Sequence, residues 1–99
     1  MHARLVTMSG AGSEKREKAL ELINGTVIPT LREYDGFVGY LALWDEANEE
    51  AKAILLWDSE AAATSAEETL AERRRQFAGG VGLTVESADL YEALVFELA

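Results

Sequence analysis

Apolar residues alternate with polar ones in some stretches of this chain and recur at helical spacing in others, and their order predicts the fold. Residues 3–8, Ala-Arg-Leu-Val-Thr-Met, are short and β-prone and read as a first strand. Ser9-Gly10-Ala11-Gly12 breaks it. Ser13 then stands where a helix cap is expected, with Glu14 in the first turn where the helix dipole favours an acid. Beyond it, apolar side chains fall at Leu20, Ile23, Val27, Leu31 and Tyr34, the three-and-four spacing of one buried helical stripe. Gly25 and Pro29 lie inside that stripe. Proline cannot donate to the carbonyl four residues back, so one kinked helix is predicted rather than two.

Asp35-Gly36 turns the chain into a strand at 37–44. Phe37, Gly39, Leu41 and Leu43 are expected on one face, and Val38, Tyr40, Ala42 and Trp44 on the other. A polar loop and a second apolar strand at 51–57 read as a hairpin. Asp58 or Ser59 caps a helix reaching about Phe77, with Ala63, Ala66, Leu70 and Phe77 as its thin apolar stripe. Ser65-Ala66-Glu67-Glu68 has capping-box spacing and marks a possible restart of that helix. Ala78-Gly79-Gly80 ends it. Residues 83–98 alternate as one long strand, with a bulge expected at Ser87-Ala88-Asp89. Strand, helix, strand, strand, helix, strand with right-handed crossovers is a ferredoxin-like α+β fold, βαββαβ: a four-stranded antiparallel sheet with both helices on one face. The strands are apolar on both sides, yet two helices cover one. A second copy of the chain, as a homodimer, is expected to cover the other.

A length of 99 residues allows one domain, and a hydrophobic fraction of 48% allows it a core. There are no cysteines, which removes disulfides and thiolate chemistry. A formal charge of −9 argues against nucleic acid as a partner. Arg73-Arg74-Arg75 is the sole basic cluster; successive helical residues point in different directions, so it reads as solvated and paired with Glu68 and Glu72. Neither a signal peptide nor a membrane span is visible, and a cytoplasmic protein with no membrane partner is expected.

Two stretches resemble a known family. Asp35-Gly36-Phe37-Val38-Gly39-Tyr40 resembles the glycine-aromatic turn into the second strand of the dimeric α/β-barrel superfamily. Ile54-Leu55-Leu56-Trp57-Asp58-Ser59-Glu60-Ala61 resembles its strand-ending tryptophan and helix cap. Within the superfamily the chain is most similar to the antibiotic-biosynthesis-monooxygenase-like (ABM-like) group. The resemblance implies a barrel formed by two sheets packed face to face, and a pocket between sheet and helices in each subunit. It also implies chemistry that ranges from cofactor-independent oxygenation of aromatic substrates to haem degradation. The haem-degrading branch needs an asparagine on the first strand and a histidine ligand on the second long helix. Trp57 matches that branch's tryptophan, but the first strand offers only Thr7 and Ser9, the second helix has no histidine, and the only histidine is His2, near the terminus.

The expected pocket lining is Trp57, Met8 and Phe77, with Tyr34 and Arg74 as polar candidates. Trp57 and Trp44 either stack on a flat ligand or fill the core or the subunit interface. Tyr34, Tyr40 and Tyr91 either orient a ligand oxygen or pack with their hydroxyls at the surface. Arg32 and Arg74 either meet an anion or form surface pairs. No catalytic residue, metal or cofactor is indicated. The expectation is therefore a protein that binds a small apolar or aromatic ligand and could oxidise it without a cofactor. A non-catalytic ligand-binding or assembly module is the alternative.

Overall fold

The computed structural model describes Met1–Ala99. The chain runs through β1 (His2–Ser9), a first helical rod α1 (13–31), β2 (Phe37–Asp45), β3 (Glu50–Trp57), a second helix α2 (Glu60–Gly80) and β4 (Thr84–Glu92). The strands form one antiparallel sheet in the order β2-β3-β1-β4. That is the ferredoxin-like arrangement the pattern predicted.

Strand alternation sets the face buried beneath the helices. On β3, Ala51, Ala53, Leu55 and Trp57 are buried and the residues between them are not. Their partners on β1 are Met8, Val6, Arg4 and His2. On β2 they are Trp44, Ala42, Tyr40 and Phe37. Phe37 thus lies under the helices beside Tyr40, not on the outer face with Leu41. The register slips between Phe37 and Gly39, so Val38 is the extra residue of a bulge that moves Phe37 to the other side. A second slip, between Thr7 and Met8, leaves Glu86 unpaired on β4, just ahead of the bulge expected at 87–89.

The α1 rod is continuous but not uniform. It opens as a 3-10 turn at Ser13–Lys15, becomes α-helical, and loosens to a π-helix at Ile23–Val27 before closing at Ile28–Leu31. Ser13 lies inside the first turn and caps nothing. The Ile28 N–H reaches back five residues to the Ile23 carbonyl. This bulge is how the helix absorbs Pro29, whose ring and missing N–H forbid a regular turn. Of the expected stripe, Leu31 is buried and Ile23, Val27 and Tyr34 are half-buried, while Leu20 is exposed and Ala19 takes the inner position.

Helix α2 is a single unbroken rod. The Ser59 hydroxyl accepts from the Ala62 N–H at 3.1 Å, so Ser59 is its cap, and the helix passes Ser65 without restarting. Gly36 joins the end of α1 to the start of α2. Its φ is +81°, its carbonyl accepts from Asp58 N–H at 2.9 Å, and an added Cβ would lie 2.6 Å from the Ala62 Cβ. Only glycine fits both demands.

The last strand is shorter than its sequence suggests. Glu92 pairs with His2, the first residue of β1, and one further bond joins Ala93 N–H to the Met1 carbonyl. Residues 94–99 alternate as strands do but have no neighbour left to pair with, so Leu94 is 85% exposed.

Candidate functional site

The buried side chains fall into two groups. One holds Val6, Leu31, Ala53, Leu55, Trp57, Ala63, Ala66 and Leu70; the other holds Ala11, Ala51, Ala78, Val81 and Leu83. A cavity of about 90 Å³ lies along the seam between them. Its origin is visible in the sheet register. Ala42 pairs with Ala53, and Trp44 pairs with Ala51, so the floor between the Tyr40 row and the Trp44 row is made of methyl groups. Ala19 and Ala78 face it from the helices. Larger side chains at these positions would fill the space. The mouth opens at β2, where Ala42, although on the helix side of the sheet, is exposed.

Of the 21 residues around the cavity, 19 are hydrophobic; Arg74 and Lys52 are the others. Arg74 is held by the Glu67 carboxylate through two bonds of 2.8 Å, and its side chain is only 11% exposed. Arg4 approaches the same carboxylate at 3.7 Å, so one glutamate serves two guanidinium groups. The Arg-Arg-Arg run is therefore not uniformly solvated. Arg75 pairs with Glu72, Arg73 lies 5.9 Å from the centre of the Tyr34 ring, and Arg74 turns inward. Burial pushes the Tyr40 phenol above its ordinary value of 10.0, and the Arg74 charge opposes this without reversing it. Tyr40 is thus a neutral hydroxyl at physiological pH.

Met8, Phe77 and Arg74 line the cavity; Trp57 and Tyr34 do not. Trp57 is 1% exposed and packs edge-on against Phe37 at 5.7 Å and Tyr34 at 6.3 Å. It is the hub of the first core group. The Tyr34 hydroxyl meets the Thr69 hydroxyl at 2.6 Å. Tyr40 and Trp44, each weighed only as a packing residue with a possible ligand role, stand at the cavity instead. The hairpin register explains the exchange. Trp44 lies beside the turn and Trp57 at the far end of β3, six residues or about 20 Å from Ala51. His2 is not a frayed end either: it is part of β1, and its Nε2 stands 3.2 Å from the Glu60 carboxylate, far from the cavity residues of the Trp44 row.

The opposite face of the sheet carries Leu41 and Leu43 on β2 and Tyr91 on β4, all exposed, with Ile54 and Leu56 half-buried between them. No three histidine or acidic side chains are grouped to hold a metal ion. No helix is long and apolar enough to cross a membrane.

No family model and no curated protein matches the chain. Solved structures do. A monooxygenase from the gene ActVA-Orf6 of Streptomyces coelicolor, solved with Nanaomycin D, is 21% identical, with a TM-score of 0.72 over 99% of this chain and 91% of that one. A dimeric ferredoxin-like protein from an uncultured marine organism is 9% identical, with a TM-score of 0.70 over 100% of both chains. SnoaB, a cofactor-independent oxygenase from Streptomyces nogalater, is 14% identical, with a TM-score of 0.66 over 96% and 94%. Likeness at these identities is likeness of fold. The chain has the fold of the ABM-like proteins.

Proposed function

We propose that the protein is a homodimer that binds a small apolar or aromatic molecule in the cavity between its two core groups. The observation that carries this is the lining itself: an alanine floor roofed by hydrophobic side chains from both helices and open at one edge. A hollow of this kind costs stability through lost packing, so a fold that keeps it gains something from an occupant. Met8, Phe77, Tyr40 and Trp44 form the contact surface in this reading, with Arg74 at its polar margin.

The dimer follows from the uncovered side of the sheet. Leu41 is 52% exposed there beside Leu43. A contiguous apolar face of this kind marks an interaction surface. A second copy meets it with the same residues, and a solved protein of this fold is described as dimeric.

An oxygenase reading of the same cavity is favoured by the activities named for the neighbours. It would use the substrate as reductant: an activated methylene and dioxygen give a carbonyl and water. The lining, however, holds no carboxylate or imidazole to take the first proton. Binding is therefore the primary assignment, and oxidation is a further property to be measured by oxygen uptake with an anthrone.

Titration of ¹⁵N-labelled protein with benzene tests the site. Saturable shifts at Met8, Ala42, Ala53 and Phe77, with Trp57 little moved, are expected. Shifts confined to the outer face around Leu41, or none at all, would overturn the assignment.

A further inference from the structure

The sheet has two open edges, and they differ. On one side, β4 carries Glu86, Asp89 and Glu92 and the slip at Glu86. On the other, β2 has no charged residue, proline or register slip from Gly39 to Trp44. Edge strands are ordinarily guarded by charges, prolines and bulges, and one that lacks all three is a template for another strand. The chain also holds a strand without a sheet. Leu94, Val95, Phe96 and Leu98 are between 53% and 85% exposed, and the backbone bends at Leu94, just beyond β4. An exposed, β-prone segment of this kind pairs with an edge within its reach.

Its own sheet does not supply that edge. β4 and β2 lie on opposite sides, three strand spacings or about 14 Å apart. Residues 93–98 extend to at most about 20 Å, so the crossing would leave one or two of them to pair. Folding back on β4 needs a tight turn, and Glu92-Ala93-Leu94-Val95 has no glycine, asparagine, aspartate or proline to make one. It would also set Glu97 along a strand that already carries three acids.

We propose that residues 94–98 of one copy add as a strand to the free edge of β2 in a second copy. This rests on the reading of the protein as a homodimer, and it says how the two copies are joined. Sheets packed face to face bring their edges together, and a strand that bends at a corner passes from one sheet to the next. The second copy offers what the first cannot: an apolar edge within reach, with no acid from Gly39 to Trp44 to meet Glu97. Two-fold symmetry makes the exchange twice, so both segments and both β2 edges are paired.

Two measurements on the full chain test it. The first needs no variant: amide hydrogen exchange at a concentration where sedimentation equilibrium gives a dimer. Every amide from Gly39 to Trp44 is expected to be protected, those pointing away from β3 included. Rapid exchange at alternate amides of that stretch would mean an open edge and would overturn the inference. The second uses the lack of cysteine, which lets Glu97→Cys carry a single nitroxide. The nitroxide-bearing chain at natural isotope abundance is mixed with the unaltered, ¹⁵N-labelled chain, so every loss of signal reports proximity between copies. The loss is expected to be greatest from Gly39 to Trp44. Loss greatest along Thr84–Glu92, or no loss in a sample that sediments as a dimer, would overturn the exchange and leave the dimer standing. A mass of 10.8 kDa for the unaltered protein would instead remove the homodimer, and the exchange with it.

Discussion

Replacing Ala42 with leucine places three more carbons over the cavity without disturbing a packed neighbour, because Ala42 is on the helix side of β2 yet exposed. Full burial of three methylene-sized groups would contribute roughly 2 kcal/mol at about 0.8 kcal/mol each. At the mouth about half of that surface leaves water, so a gain near 1 kcal/mol is the working figure. For a domain of this size that raises the melting temperature by about 4–8 °C. The same carbons occupy the ligand's space, so benzene affinity falls at least tenfold. Urea unfolding at fixed protomer concentration gives the first number, since the proposed dimer would make stability depend on concentration. Titration by NMR gives the second. Opposite signs are the point: a residue in a packed wall would be destabilised by overpacking, typically by about 1–3 kcal/mol. Loss of stability with ligand affinity unchanged would refute the placement of the floor.

Leu41→Lys on the outer face should leave circular dichroism intact while sedimentation equilibrium falls from a dimer to the 10.8 kDa chain; an unchanged mass would remove the proposed interface. Glu67→Gln should cost about 1–3 kcal/mol in urea unfolding, because Arg74 and Arg4 lose their shared carboxylate in a largely buried setting. A change below a few tenths would make the triad ornamental. The Tyr40 phenol, raised by burial, remains protonated in the folded state where an unfolded tyrosine has already ionised. Its contribution to stability is complete below about pH 10 and is lost as pH climbs through the folded value. Absorbance titration near 295 nm should show one late tyrosine that disappears in Tyr40→Phe. Three tyrosines ionising together would contradict it.

What the sequence made legible was local. The Ser59 cap, the hairpin and the apolar strand β3 are each specified by neighbours a few residues apart, and they form as their residues suggest. The kink from Gly25 and Pro29 was also legible, though not its form as a π-helix. Misreadings arose where a distant partner decides. The bulge at Val38 moves Phe37 across the sheet, and nothing within β2 announces it. Residues 94–98 keep strand alternation but extend past the end of β1, so pairing stops. Arg74 belongs to a charged run whose members look alike until Glu67 selects one. Trp57 was an attractive site residue because it ends a strand before a helix. The hairpin register, which follows from a turn at 46–49, places Trp44 and the three floor alanines at the cavity. That register was within reach of the sequence; the hollow was not, because it depends on how the two helices pack over the sheet.

The central claim is that the seam between the two core groups is an open apolar hollow floored by Ala42, Ala51 and Ala53. Diffraction from a crystal held under xenon pressure tests it directly, since xenon enters apolar cavities without needing polar contacts. Xenon density is expected above those alanines, between Met8, Phe77 and Trp44. A continuous wall of side-chain density at that place, with no xenon, would contradict it.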